Sequence, residues 1–586
     1  MSKKKHTFLT KEEVFFIVVT FVLSIFLLRV FWLGIFKPDF FISTTTTKKD
    51  FAVKGKIISA DNNTLAKNEK KYDLAIFKDH IKEGKKELLI NLLSIYTDTP
   101  KKTLLKKIEN SKSNRVVLLE NLPFSIIKHL KYLSTYLTIK SVFKENQNGI
   151  VYGLDIYEKA LQRVYPLKDC LEPVLGFSRL KLITENNRKI YRSVGKSGLE
   201  KYYESVLKPK QNGYIKGYRD VQNRVLYDNQ IIVKPRIDGS NLYLNINAVF
   251  QRKVELMLDK LKKELKAKEI LTVVMESKTG KVIAIASSNR YNPSFIRKQD
   301  IPNLKISHIQ YLYEPGSVMK PITLAILLEN KKVNPLEVLD AHNGIFYFKR
   351  HFTIYDDEPF KWLNVIQAVV HSSNIVFAQL GLRLTPNQFR EGLLKFGFEE
   401  KSRIDLPYEY RGNVFTTKEL MRETHRASIS FGYGLQVNLI QLLKAYNMFN
   451  NYGVMITPRI ANRYNDSEIP TSKQQIISPS TAQQILDILR KVVLNGTGKA
   501  AKIEGIWTAG KTGTAKINKN GKYIKGLYNS SFIGFANDKT HKYTIATLTI
   551  KPDKKRYFAS QTSVVAFRNI VQIMVEMGLL NPLFPF

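Results

Sequence analysis

The chain has one cysteine, Cys170, in 586 residues, which excludes an internal disulfide framework and a Cys-x-x-Cys redox pair. A sole thiol suits an oxidising compartment, where unpaired cysteines are a liability. Zinc-spaced Cys/His sets are absent, so no metal site is expected. Acidic residues are scarce: 51 Asp and Glu against 92 Lys and Arg, a formal charge of +41. That imbalance fits an anionic surface such as nucleic acid, acidic phospholipid or an acidic wall polymer. There is no arginine-rich arm, however, and the lysines are dispersed as on a solvated face, in company with many Asn and Ile. No nucleic-acid partner is therefore expected. Hydrophobic residues make up 44%, enough for real cores, and the length predicts two or three domains.

One long apolar run is present. Ser2-Lys3-Lys4-Lys5 and Lys11 precede Val14–Phe36, 23 residues in which Arg29 is the only charge, against roughly 20 needed to cross a bilayer core. The charge bias places residues 1–13 in the cytoplasm and the bulk of the chain outside it. A cleavable signal peptide is the alternative. Lys37-Pro38-Asp39-Phe40-Phe41 follows the run in place of an Ala-x-Ala-like site, which favours an uncleaved single-pass anchor over residues 14–36. Arg29 either snorkels to the outer interface or meets another membrane protein.

Ser43–Asp50 reads as a polar linker. From Phe51 to about Asp238, strand-like runs (Tyr72–Phe77, Arg115–Leu119) alternate with amphipathic helical stretches near Lys85–Ile95 and Thr103–Ser111. Lacking a nucleophile, metal cluster or phosphate loop, this region reads as a structural or interaction module. A new domain begins near Ser240. Asn241–Asn247 alternates like a strand and Ala248–Leu265 has helical spacing. Ile270–Met275 and Lys281–Ala286 flank a Gly-containing turn, as in a hairpin. Tyr543–Lys551 reads as another strand and Ser563–Met577 as a closing helix. The pattern predicts an α+β domain, an antiparallel sheet with helices on its faces.

Tyr313-Glu314-Pro315-Gly316-Ser317-Val318-Met319-Lys320 contains Ser-x-x-Lys, but Ser2, Ser125, Ser141, Ser178, Ser193 and Ser205 also have Lys three positions on. Context separates Ser317. Pro315-Gly316 makes a turn and Ile322–Leu328 continues as a buried helix, so Ser317 sits near a helix N-terminus, where free N–H groups favour negative charge. Lys320, nearly one turn on, lies beside the hydroxyl and can accept its proton only when neutral. His371-Ser372-Ser373-Asn374 gives Ser-x-Asn, and Lys511-Thr512-Gly513-Thr514 gives Lys-Thr-Gly-Thr. Decoys exist at Ser287-Ser288-Asn289 and Lys278-Thr279-Gly280, a predicted strand end and turn. Only Ser317, Ser372 and Lys511 run in order, separated by 55 (372 minus 317) and 139 (511 minus 372) residues.

This ordered trio resembles the serine penicillin-recognising enzymes. The resemblance implies a nucleophile at Ser317 and an acylation base at Lys320. It further implies a proton relay at Ser372, a substrate ligand at Asn374 and an electrostatic role for Lys511 and Thr512. Gly513 would admit substrate to the strand, and Thr514 would bind its carboxylate and share the oxyanion hole with Ser317. Tyr313-Glu-Pro-Gly-Ser317, Ser430-Phe-Gly-Tyr-Gly434, Asn495-Gly-Thr-Gly498 and Gly198-Leu-Glu-Lys-Tyr-Tyr203 look like division-type class B penicillin-binding proteins, the FtsI type. Lys54-Gly55-Lys56-Ile57 with Leu65-Ala66 resembles the family's pedestal opening, although Ser59, Ala60, Asp61 and Asn62 depart from it. The implied layout is an elongated mixed α/β pedestal, the dimerisation-type domain, over 37–239 and a transpeptidase domain over 240–586. It implies a periplasmic enzyme of the bacterial inner membrane that cross-links peptidoglycan stem peptides ending in D-Ala-D-Ala, without a cofactor. β-Lactams would be covalent inhibitors, and a glycan polymerase and division-complex membrane proteins its partners.

Several rivals share parts of the pattern. A class A β-lactamase would carry Glu-x-x-Leu-Asn, but Glu391-Gly-Leu-Leu394 is followed by Lys395. A bifunctional glycosyltransferase would need an extra domain with paired carboxylates. A β-lactam sensor would carry several membrane spans. A side-wall elongation enzyme or a D,D-carboxypeptidase would keep the same trio.

Overall fold

The computed structural model describes residues 10–36, 45–145, 151, 153–185, 188–218, 225–227, 231–349, 352–519 and 522–583. The basic tail at Ser2–Lys5 and the segment Lys37–Phe41 lie outside the described residues. The chain divides into two compact units, Met1–Val53 with Pro209–Gly239 and Lys54–Lys208 with Ser240–Phe586.

In the first unit, Lys11–Phe36 is one helix of 26 residues. Its stretch Lys11–Leu33, mean hydropathy 2.7, is long and apolar enough to cross a membrane. Thr10 caps it: Thr10 N donates to Glu13 Oε2 (2.9 Å) and Glu13 N to Thr10 Oγ1 (3.3 Å). The hydroxyls of Thr20 and Ser24 donate one turn back, to Phe16 O (2.7 Å) and Thr20 O (2.8 Å), so both are satisfied within this apolar helix. The segment Ser43–Asp50 is not simply a linker. Thr45–Asp50 is a strand paired antiparallel with Gly213–Tyr218, which pairs in turn with Ile232–Lys234. Composition suggested a linker because the segment is polar. Its threonines are β-branched, though, and a partner strand far away in sequence supplies the ladder.

The second unit is built along the strand Thr64–Phe77, whose 14 residues span about 45 Å. It pairs with Ile57–Ile58 at its start, Asp155–Val164 along its middle and Arg115–Pro123 at its far end. Helices Lys86–Thr97, Lys101–Asn110 and Phe124–Ile139 form a head around that far end, their core made of Leu74, Ile76, Leu89, Leu93, Leu104, Leu118 and Leu130. At the near end, Leu242–Leu244 runs parallel to Ile57–Ile58 and antiparallel to Ala461–Tyr464. One sheet thus ties the two halves of this unit together. Lys54, from the opening motif, lies 2.7 Å from both Glu200 and Glu204, and Arg163 Nε 2.6 Å from Glu200. Burial opposes ionisation of Glu200, but Arg163 and Lys54 outweigh it and hold the carboxyl at about 2.

The remainder is a five-stranded antiparallel sheet in the order Val282–Ser287, Glu269–Glu276, Lys542–Ile550, Lys522–Asn537, Trp507–Lys519. Helices Ala248–Leu265 and Ser563–Glu576 cover one face, with Phe250, Val254, Leu258, Phe532, Ile545, Phe567 and Ile570 buried between. A larger helical layer covers the other and includes Lys320–Glu329, Asn374–Gly381 and Pro479–Asn495. The α+β expectation, the hairpin and both face helices match the structure.

Candidate active site

Ser317 lies on a 3-10 turn, Gly316–Met319, that runs into the α-helix Lys320–Glu329. Pro321 falls in that helix's first turn, where its missing N–H costs no hydrogen bond, so it starts the helix without disturbing it. The turn is clamped from two sides. Gly316 N donates to Gly432 O (3.0 Å), and a Cβ on Gly432, whose φ is +95°, would lie 2.0 Å from Gly316 O. A Cβ on Gly513 would lie 2.9 Å from Pro315 O and 2.7 Å from Ser531 Oγ. The absence of both side chains is what lets loop 430–435 and the strand Trp507–Lys519 close on the turn.

Lys320 is fully buried. Its Nζ lies 2.9 Å from Ser317 Oγ, 3.1 Å from Ser372 Oγ and 2.8 Å from Asn374 Oδ1, and also contacts Ser372 O. Four oxygens surround a group with three N–H bonds when charged and two when neutral. Burial draws the Lys320 amine down to about 7, against the pull of Asp356 and Asp357. Near neutral pH a large fraction is therefore the free base, with a lone pair beside the serine hydroxyl.

Ser372 reaches Lys320 because its backbone is left-handed (φ +64°), a conformation costing a non-glycine residue on the order of 1 kcal/mol. Lys511 Nζ donates to the same hydroxyl at 2.9 Å. Burial, then the charge of Lys320, pushes Lys511 well below the usual lysine range. Ser372 Oγ thus bridges two lysines that disfavour each other's charge. Thr512 Oγ1 meets Thr497 Oγ1 at 2.7 Å, which joins the Asn495–Gly498 motif to the Lys-Thr-Gly strand. Thr514 Oγ1 accepts from Ala559 N at 3.2 Å. All eight residues named from sequence lie on these elements, and Ser317, Lys320, Ser372, Asn374 and Lys511 form one hydrogen-bonded cluster. The decoys lie elsewhere: Ser287 ends a strand and bonds Glu269, and Lys278–Gly280 is a turn.

Sequence reasoning missed Asp356. Its carboxylate accepts from Ser373 Oγ, Asn374 N and Ile375 N (3.1 Å), and so holds the N-terminus of helix Asn374–Gly381. Asn374 Nδ2 donates to Tyr355 O (2.7 Å), which turns its Oδ1 toward Lys320. Burial raises the Asp356 pKa. The available signal was Asp356-Asp357-Glu358, three consecutive acids in an acid-poor chain, 16 positions before Ser372 (372 minus 356). Glu314, named from sequence only as part of a motif, is a clasp. Its Oε1 accepts from Gly434 N (2.8 Å) and Tyr523 OH (3.2 Å).

Residues 270–572 match the penicillin-binding protein transpeptidase domain and residues 49–244 the penicillin-binding protein dimerisation domain. The chain is 32% identical over 401 residues to stage V sporulation protein D of Bacillus subtilis, covering 66% of this chain and 59% of that protein. It is 25% identical over 390 residues to the peptidoglycan D,D-transpeptidase FtsI of Buchnera aphidicola, covering 66% of each. In fold it is similar to the crystal structure of penicillin-binding protein 2X from Streptococcus thermophilus, with TM-score 0.73 and 19% identity over 91% of this chain and 81% of that one. The chain therefore belongs to the penicillin-binding transpeptidase family, as a class B penicillin-binding protein with a dimerisation domain followed by a serine-type D,D-transpeptidase domain.

Proposed function

We propose that this protein cross-links peptidoglycan through an acyl-enzyme on Ser317, in septal wall synthesis. The observation that carries the reading is the buried Lys320 amine, 2.9 Å from Ser317 Oγ and held near pKa 7. Ser317 Oγ attacks the penultimate D-Ala carbonyl of a stem peptide while neutral Lys320 takes the hydroxyl proton. The backbone N–H groups of Ser317 and Thr514 stabilise the oxyanion. As the C–N bond breaks, the proton reaches the departing D-Ala amine through Lys320 and Ser372, with Lys511 polarising the relay. The neutral amine of a second stem then attacks the ester and gives its proton back along the same path to Ser317. Asn374 binds the donor peptide, and Thr512, Gly513 and Thr514 align it and its carboxylate along the strand. β-Lactams, as mimics of D-Ala-D-Ala, stop at the ester.

The reading assigns residues 37–239 to the pedestal and 240–586 to the transpeptidase domain. Residues 14–36 form the single-pass anchor, with the N-terminus cytoplasmic, the catalytic domain periplasmic, and a glycan polymerase and division-complex proteins as partners. The relative named FtsI supports septal work, as does Glu314 before Pro315. Fluorescent penicillin should label the wild type at Ser317 and leave Ser317→Ala unlabelled with its melting temperature preserved. An adduct mapped by mass spectrometry to another serine rejects the mechanism. Depletion should give long cells with blocked septa, whereas swollen cells that still divide would assign the chain to side-wall growth.

A further inference from the structure

Helix Phe124–Ile139 buries Ile127, Leu130, Leu133 and Leu137 in the head. Its opposite face is not the usual solvated one. Phe124 is 66% exposed, Tyr132 66%, Tyr136 47% and Ile139 72%, and positions 124, 128, 132, 136 and 139 recur at helical spacing along one stripe. Lys128 lies between the rings, Lys131 and Lys140 flank them, and Lys140 Nζ sits 5.7 Å from the Tyr136 ring centre. No Asp or Glu occurs from 121 to 144. The whole head, residues 78–145, carries 14 Lys and Arg against 7 Asp and Glu.

We propose that this face is a docking surface for a peptidoglycan glycan strand, separate from the cleft at Ser317. The inference rests on the transpeptidase reading for the identity of the polymer. Aromatic rings stack on the apolar C–H faces of sugar rings, and tyrosine adds a hydroxyl for sugar oxygens. Tyr132 and Tyr136 are one helical turn apart, about 6 Å, so the two rings can lie along neighbouring sugars. The strand's remaining chemistry is anionic, since each stem peptide ends in a carboxylate. Lys128, Lys131 and Lys140 answer that charge beside the rings, and the helix itself carries no acid to repel it. A surface that served only to attract anions would not need four exposed apolar side chains, and one that served only to bury apolar area would not interleave lysines. The head lies at the far end of the strand Thr64–Phe77. A glycan held there is retained beyond the reach of the cleft, so that the enzyme stays on its polymer between acyl transfers.

The test is co-sedimentation of full-length protein in detergent with purified, protein-free insoluble peptidoglycan, after Ser317 has been blocked with penicillin. Tyr132→Ala/Tyr136→Ala should lower the bound fraction several-fold, Tyr132→Phe/Tyr136→Phe should retain most of it, and Lys128→Glu/Lys131→Glu should lower it and flatten its salt dependence. Melting temperature and the rate of fluorescent-penicillin labelling should stay at wild-type values in all three. Unchanged binding in the double alanine variant overturns the proposal, as does loss in the lysine variant alone, which would mean bulk charge attraction. Failure of penicillin to label Ser317 would reject the transpeptidase reading by itself, because the pull-down reads the head independently of acylation.

Discussion

Lys320 carries opposite consequences for stability and for chemistry. Its amine is pulled from the ordinary 10.5 to about 7 by burial, so between those values the unfolded chain binds the extra proton. Its contribution to stability therefore increases as pH rises from about 7 to 10.5, and below about 7 the protein bears the full cost of a buried charge. Lys320→Met, which replaces the amine with a group of similar length, should raise the melting temperature at pH 6, the larger part of the gain being absent at pH 10. The same variant should lose a hundredfold or more, on the order of 10²–10⁴, in the rate of penicillin acylation. In the wild type that rate should climb through about pH 7 and level off above it, as the free-base fraction saturates. Stopped-flow acylation from about pH 5.5 to about pH 8.5, about three units centred on the amine, reads this directly, and a flat profile would contradict Lys320 as the base.

The elements around the nucleophile are fastened by two carboxylates that the catalytic motifs do not include. Asp356 sits at the N-terminus of helix Asn374–Gly381, accepting from two of its first N–H groups. Asp356→Asn removes the negative charge that favours that end of the helix and offers only one acceptor oxygen. A stability loss of about 1 kcal/mol is expected. The larger effect should be slower acylation, because Asn374 and Ser372 then drift from Lys320. Calorimetry and labelling kinetics on the same sample separate the two, and a drop in stability with an unchanged acylation rate would leave Asp356 a structural residue only. Glu314 fastens loop 430–435 and the hairpin residue Tyr523 to the turn before Ser317. Glu314→Ala leaves Gly434 N–H without its acceptor, at a cost of about 1–3 kcal/mol. Glu314→Gln keeps an oxygen for it and should recover most of the acylation rate. If alanine and glutamine behave alike, the clasp does not position the turn.

At the scale of the whole molecule, the buried cluster of Lys54, Arg163 and Glu200 joins three segments far apart in sequence. Glu200 is held at about 2 against an ordinary 4.5. Its contribution, about 3 kcal/mol on the linkage scale, is fully present above 4.5 and is lost as pH falls toward 2. Glu200→Gln should destabilise at neutral pH by about 3–5 kcal/mol, since two buried cations lose their partner. Denaturant melts should show the difference between wild type and variant shrinking below pH 4. A constant difference down to pH 2.5 would mean that packing, and not charge, dominates the site.

Much of this protein was legible before any fold was known, because the relevant information is local. Ala248–Leu265 declares itself by the period of its apolar residues, the hairpin at 269–287 by two apolar runs around a turn, and the apolar helix at the N-terminus by length alone. The order Ser-x-x-Lys, Ser-x-Asn, Lys-Thr-Gly is likewise readable, since each motif owes its form to the turn, helix start or strand that carries it. What tertiary structure decided is whatever depends on distance between residues remote in sequence. Composition alone could not separate the strand Thr45–Asp50 from a linker, because its partner is Gly213–Tyr218. Asp356 gave no motif, because its function is to accept hydrogen bonds from a helix that begins beyond Ser372. The same holds for Lys320. That a lysine lies three residues after Ser317 is written in the sequence; that it is dry enough to lose its proton near neutral pH follows only from its full burial against Ser372 and Asn374, more than fifty residues away.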